Sequence, residues 1–119
     1  MALAAFCNQL VALFEDLAET YPEERNISSA AQTLKLMKQA NPRLLHRTFM
    51  ENVYTEFATH ILEENEEYIL ERAKAVKKDN TNMNIAFSIF DKYWSTMTET
   101  NKQHVWRYMK SVVLLAKRV

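Results

Sequence analysis

The chain contains no glycine. Glycine enters positive φ without a Cβ penalty and lets backbone approach a ligand closely. Its absence therefore removes phosphate-cradling loops, dinucleotide fingerprints and nucleophile elbows from the functions open to this sequence. Asparagine, present nine times, is the residue next most tolerant of the left-handed region and is left to punctuate the chain. Long helices joined by short asparagine-marked turns follow.

Periodicity agrees with that expectation. Leu3, Phe6, Leu10, Leu13, Phe14, Leu17 and Tyr21 recur at spacings of three and four, the signature of an amphipathic helix over residues 2–20 that Pro22 ends. Ser29 with Gln32 forms a capping box ahead of a short helix carrying Leu34 and Met37. Asn41-Pro42 is a strong start signal, a cap followed by proline at the first helical position. Leu45, Phe49, Val53, Phe57 and Ile61 then make one stripe, and a break is expected near Asn65, because continuing the helix would turn Asn65 and Arg72 inward. Residues 77–84 read as a loop. Residues 85–94 are mostly apolar on all sides, so that short helix is expected to be the most buried element, with Phe90 deep in the core. Thr96 or Thr98 caps the last helix, which turns Val105, Met109, Val112 and Ala116 inward. No stretch alternates as a strand does. The fold expected is all-α, a compact bundle of five or six helices in a single domain spanning residues 1–119.

Nothing beyond a hydrophobic core is needed to hold such a bundle, since 48% of the 119 residues are hydrophobic. The one cysteine, Cys7, makes no intrachain disulfide and fits a reducing compartment. The apolar start lacks a basic leader region and is interrupted by Asn8 and Gln9, so it reads as the first helix of the mature protein. The longest apolar run elsewhere, residues 112–116, is far short of the ~20 residues that cross a bilayer. A cytoplasmic protein with no membrane partner is expected.

Chemistry is thinly represented. Glu56, His60 and Glu64 share a helix face at i, i+4 and i+8, a pattern with ligand types that hold transition metals. The Glu-x-x-His motif of di-iron bundles is absent, and the set reads as a solvated acidic face open to pairing with Lys or Arg. His46, His60 and His104 are scattered, and no serine or cysteine has an activating sequence context. No enzyme, metal or cofactor is expected.

The last helix is the distinctive segment. Lys102, Arg107, Lys110, Lys117 and Arg118 face a single acid, Glu99, with Trp106 and Tyr108 interleaved. Cations with stacking rings are what single-stranded nucleic-acid binders use, and Lys102, Arg107 and Lys110 are the candidates for that alternative. Against it stands the neutral balance of the whole chain, 15 Lys and Arg to 15 Asp and Glu. The favoured reading is a protein–protein contact or self-association through this helix. Besides the inward stripe, Tyr108 and Leu115 lie two turns apart on one flank and Trp106 and Val113 on the other, more apolar surface than one neighbour covers. Tyr108, Leu115 and Trp106 are the interface candidates, in a homodimer or with another protein.

The ending carried by Trp94, Asn101, Lys102, Val105, Trp106, Tyr108, Met109, Lys110, Val112, Leu114 and Leu115 resembles that of a group of small uncharacterised proteins encoded by large DNA viruses of algae and protists. The early LFEDLAETYPEE is similar to the opening of that group, while Lys110 stands where the group commonly has glutamine. The resemblance implies a viral or marine origin and no known activity, and transfers no site residues; the role expected is that of a virion or assembly component or of an adaptor, in the virion or the host cytosol if the chain is viral.

Overall fold

The computed structural model describes residues 2–75, 88 and 90–119. Helix α1 (Ala2–Thr20) runs through the middle of the molecule and buries Phe6, Cys7, Leu10, Val11 and Phe14, the face its spacing defines. It packs on α2 (Arg25–Ala40), α3 (Pro42–Phe49) and α6 (Glu99–Arg118), so most of the core is built around it. Phe6 meets the edge of the His46 ring at 5.3 Å and of Phe49 at 5.1 Å. Among the described residues every regular element is helical, and the fold is an all-α bundle.

Helix α2 starts earlier than the capping box predicts. It begins at Arg25, with Glu24 at the cap making no side-chain bond there, and Ser29 and Gln32 lie inside it. Burial decides the start. Ile27, 1% exposed, falls in one stripe with Ala30, Ala31 and Leu34, and a helix beginning at Ser29 would leave Ile27 outside that register. Asn41 does cap α3: its Oδ1 accepts from the Leu44 N–H at 3.1 Å, with Pro42 at the first turn.

Between α3 and α4 (Thr55–Leu62) the chain widens into a turn of π-helix, Met50–Tyr54, closed by the Thr55 N–H donating to the Met50 carbonyl. The stripe explains why. Leu45, Phe49, Val53, Phe57 and Ile61 are spaced by four throughout, and on an α-helix each such step overshoots a full turn by about 40°. The wider turn absorbs the excess, so Leu45, Phe49, Phe57 and Ile61 are buried and Val53 is half-buried.

The break at Asn65 is present. Helix α4 ends and α5 (Glu66–Ala75) begins across a turn in which the Asn65 N–H donates to the His60 carbonyl at 2.8 Å and the Glu64 N–H to that of Ile61 at 3.1 Å. This is a Schellman closure. Its left-handed position is held by Glu64, at φ 54°, and not by an asparagine; no other described residue has positive φ. Asn65 serves instead as an acceptor for the Tyr68 N–H, starting α5.

The expected loop at 77–84 and residues 85–87 and 89 of the expected apolar helix at 85–94 lie outside the described residues. Residues 90–93 are helical and lead into a 3-10 turn, Trp94–Thr96. Trp94 is 1% exposed, whereas Phe90 is only half-buried and stacks on it at 4.4 Å. Thr98 caps α6, its Oγ1 accepting from the Asn101 N–H at 3.2 Å. Val112 and Ala116 are buried in the expected stripe, with Val105 and Met109 half-buried.

Candidate functional site

Helix α6 lies between α1 and α4, so both its flanks meet neighbours inside the chain. Trp106, expected at an interface, is 5% exposed and packs edge-on against Trp94 at 5.4 Å. With Val113, which is also buried, it belongs to the core, because α4 and Trp94 cover that flank. Tyr108 and Leu115 are half-buried. The Asp16 carboxylate beside the Tyr108 hydroxyl, together with burial, holds the phenol above its usual range. Leu115 packs against the core. The apolar surface left on the helix is Leu114, 48% exposed, and the terminal Val119, 49% exposed.

The cations of α6 are also largely engaged. Lys110 pairs with Glu64, tying α6 to the strained turn. Lys102 lies 3.8 Å from the Glu66 carboxylate and 5.4 Å from the Trp94 ring centre, and Glu66 also accepts the Trp94 indole N–H. Arg107 is exposed and has no ion-pair partner among the described residues. Of the three nucleic-acid candidates, only Arg107 therefore presents an unengaged charge.

Glu56, His60 and Glu64 do not converge. The Glu56 carboxylate accepts from Arg72 Nε at 2.6 Å, Arg72 Nη2 at 3.3 Å and the Tyr68 hydroxyl at 2.8 Å. Burial pushes the Glu56 carboxyl up, but the bonds from Arg72 and Tyr68 outweigh it and leave it below the ordinary glutamate value. His60 stacks flat on Tyr68 at 3.7 Å and accepts at Nδ1 from the Asn65 amide. Glu64, past the end of α4, points to Lys110. Among the described residues no group of three or more His, Cys, Asp and Glu side chains is placed to hold a metal ion. The other histidines stand elsewhere: His46 Nε2–H donates to the Ala116 carbonyl at 3.0 Å, and His104 is exposed. Burial raises the Cys7 thiol against an opposing pull from Lys38, and the thiol meets the Pro42 carbonyl at 3.9 Å.

Two concavities lie along α1. One is an apolar cavity of about 200 Å³ in the bundle interior, walled by α1, α2, α3, α4 and α6 and by residues such as Phe14, Phe57 and Met109; Thr48 supplies the one polar side chain among the described residues lining it. The other is a groove of about 270 Å³ between the second half of α1 and the first half of α6, with Asp16, Glu19, Asn101, His104 and Tyr108 on its rim. Sequence reading missed both. The cavity is assembled from many helices, and Asp16 and Tyr108 meet only because α6 folds back along α1.

Comparison with known protein families, curated proteins and solved structures gives no significant match. Among the described residues no helix is long and apolar enough to cross a membrane.

Proposed function

We propose that this chain is a non-catalytic protein that acts through contacts with another protein, the last turns of α6 forming the contact surface. The observation that carries the reading is the exposure of Leu114 on a helix whose Val112, Val113 and Ala116 already fill the core. Lys117 and Arg118 are exposed beside it, so the partner offered the best fit is an apolar stripe with an acidic rim. A second copy of the chain is the first partner to test. The resemblance of the two chain ends to proteins of large DNA viruses points to a virion or the host cytosol as the setting.

A nucleic-acid role draws less support, because Lys102 and Lys110 already have carboxylate partners. Sedimentation over a wide concentration range, with wild type and Leu114→Glu compared, tests the reading. Association that weakens in the variant at unchanged helicity supports it, since a charge at an interface centre is costly to desolvate. A wild type that stays monomeric, together with an unchanged set of proteins cross-linked to the variant in a native lysate, overturns it.

A further inference from the structure

The apolar cavity and the polar groove adjoin. Leu13, Leu17, Met97 and Val105 line both. All four are half-buried. A ligand lying across them would meet apolar side chains at one end and hydrogen-bonding and charged groups at the other.

We infer that this is a binding site for a single-chain amphiphile with a cationic ammonium head. The tail length follows from volume: an apolar cavity of about 150 Å³ takes benzene, so about 200 Å³ has room for a chain of about eight carbons. Nearly all the lining is apolar, so a buried polar group on the tail would lack a partner there. The head is chosen by the rim. Asp16 and Glu19 bring two carboxylates, no Lys or Arg is among the residues described as lining the groove, and Tyr21 and Tyr108 present aromatic rings. Carboxylates and ring faces attract an ammonium group and repel a carboxylate head.

The test is calorimetric titration of the full chain with octyltrimethylammonium, octan-1-ol and octanoate, each below the concentration at which it self-assembles, with amide NMR shifts locating the site. Octyltrimethylammonium is expected to bind saturably, about tenfold more tightly than octan-1-ol, the scale of one partly desolvated charge contact, with octanoate weakest. The surface double variant Asp16→Asn, Glu19→Gln should bring the ammonium compound down to the octanol affinity. Val105→Trp puts a larger side chain where the cavity and the groove adjoin and should abolish binding of all three, and Leu17→Phe serves the same purpose should the tryptophan disturb folding. Equal affinity for octanoate and the ammonium compound, an ammonium preference that survives the double variant, or no saturable binding of any probe overturns the inference.

Discussion

The Arg72 Nε lies 2.6 Å from the Glu56 carboxylate, across the turn that separates α4 from α5. Tyr68 adds its hydroxyl to the same carboxylate at 2.8 Å and its ring to the face of His60. One acid thus collects the two donors that orient α5 on α4. The geometry is a helix-hairpin clamp built from residues whose spacing alone resembles a metal face.

This clamp makes stability depend on acid in a definite direction. The folded Glu56 carboxyl titrates below its ordinary value, so its contribution is complete above the unfolded glutamate value, near 4.3, and is lost as pH falls through the lower folded value. Glu56→Gln should remove that part of the pH dependence and cost about 1 kcal/mol at neutral pH, the upper range for a partly exposed pair. Urea denaturation of wild type and variant between acid and neutral pH checks it. Parallel curves across the acid range would show that the clamp contributes no linkage.

Glu64 carries the one positive φ among the described residues, and a chain without glycine has had to place a Cβ there. Glu64→Gly and Glu64→Ala both delete the pair with Lys110, but only glycine relieves the left-handed strain. The glycine variant should therefore be the more stable of the two by about 1 kcal/mol. Thermal melts of the two variants measure that difference directly. Equal melting would mean that the turn adjusts its backbone when the pair is lost.

This turn marks where the sequence was legible and where it was not. The break at Asn65 was readable because an unbroken stripe would have turned polar side chains inward, and the caps Asn41 and Thr98 were readable because their bonds are local. The left-handed residue was expected to be an asparagine, yet Glu64 takes it, since Asn65 is used to start α5 and Glu64 reaches Lys110 on α6. That contact is set by tertiary packing. The π turn had a signal, the unvarying spacing of four from Leu45 to Ile61, which no regular α-helix keeps on one face. Trp106 had none: whether a flank of α6 faces solvent or α4 depends on how the helices are stacked, and the two cases share one sequence pattern.

Core weight around the 3-10 turn falls on Trp94. Its indole is covered by Phe90 on one face and by Trp106 at the edge, and its N–H is taken by Glu66. Trp94→Ala should cost ~3–5 kcal/mol as a large cavity opens. Phe90, half-buried, should cost less, about 1–3 kcal/mol for Phe90→Ala, because part of its surface never leaves water. Chemical denaturation ranks the two. A larger loss at Phe90 would move the centre of the core toward Phe90.

The last turns of α6 separate a packing leucine from a surface leucine one residue apart. Leu115 is half-buried and packs against the core. Leu115→Glu should thus lower the stability of the isolated chain by about 1–3 kcal/mol, through lost burial and the desolvation of the new carboxylate. Leu114, 48% exposed, keeps much of its side chain in water, and Leu114→Glu should stay within about 0.5 kcal/mol of wild type. The same pair separates folding from contact: an effect on association by Leu114→Glu alone locates the surface on the outer face of α6, whereas loss of association only in a destabilised Leu115→Glu reports on the core. Denaturation midpoints and sedimentation of both variants, measured at matched concentration, read the two effects independently.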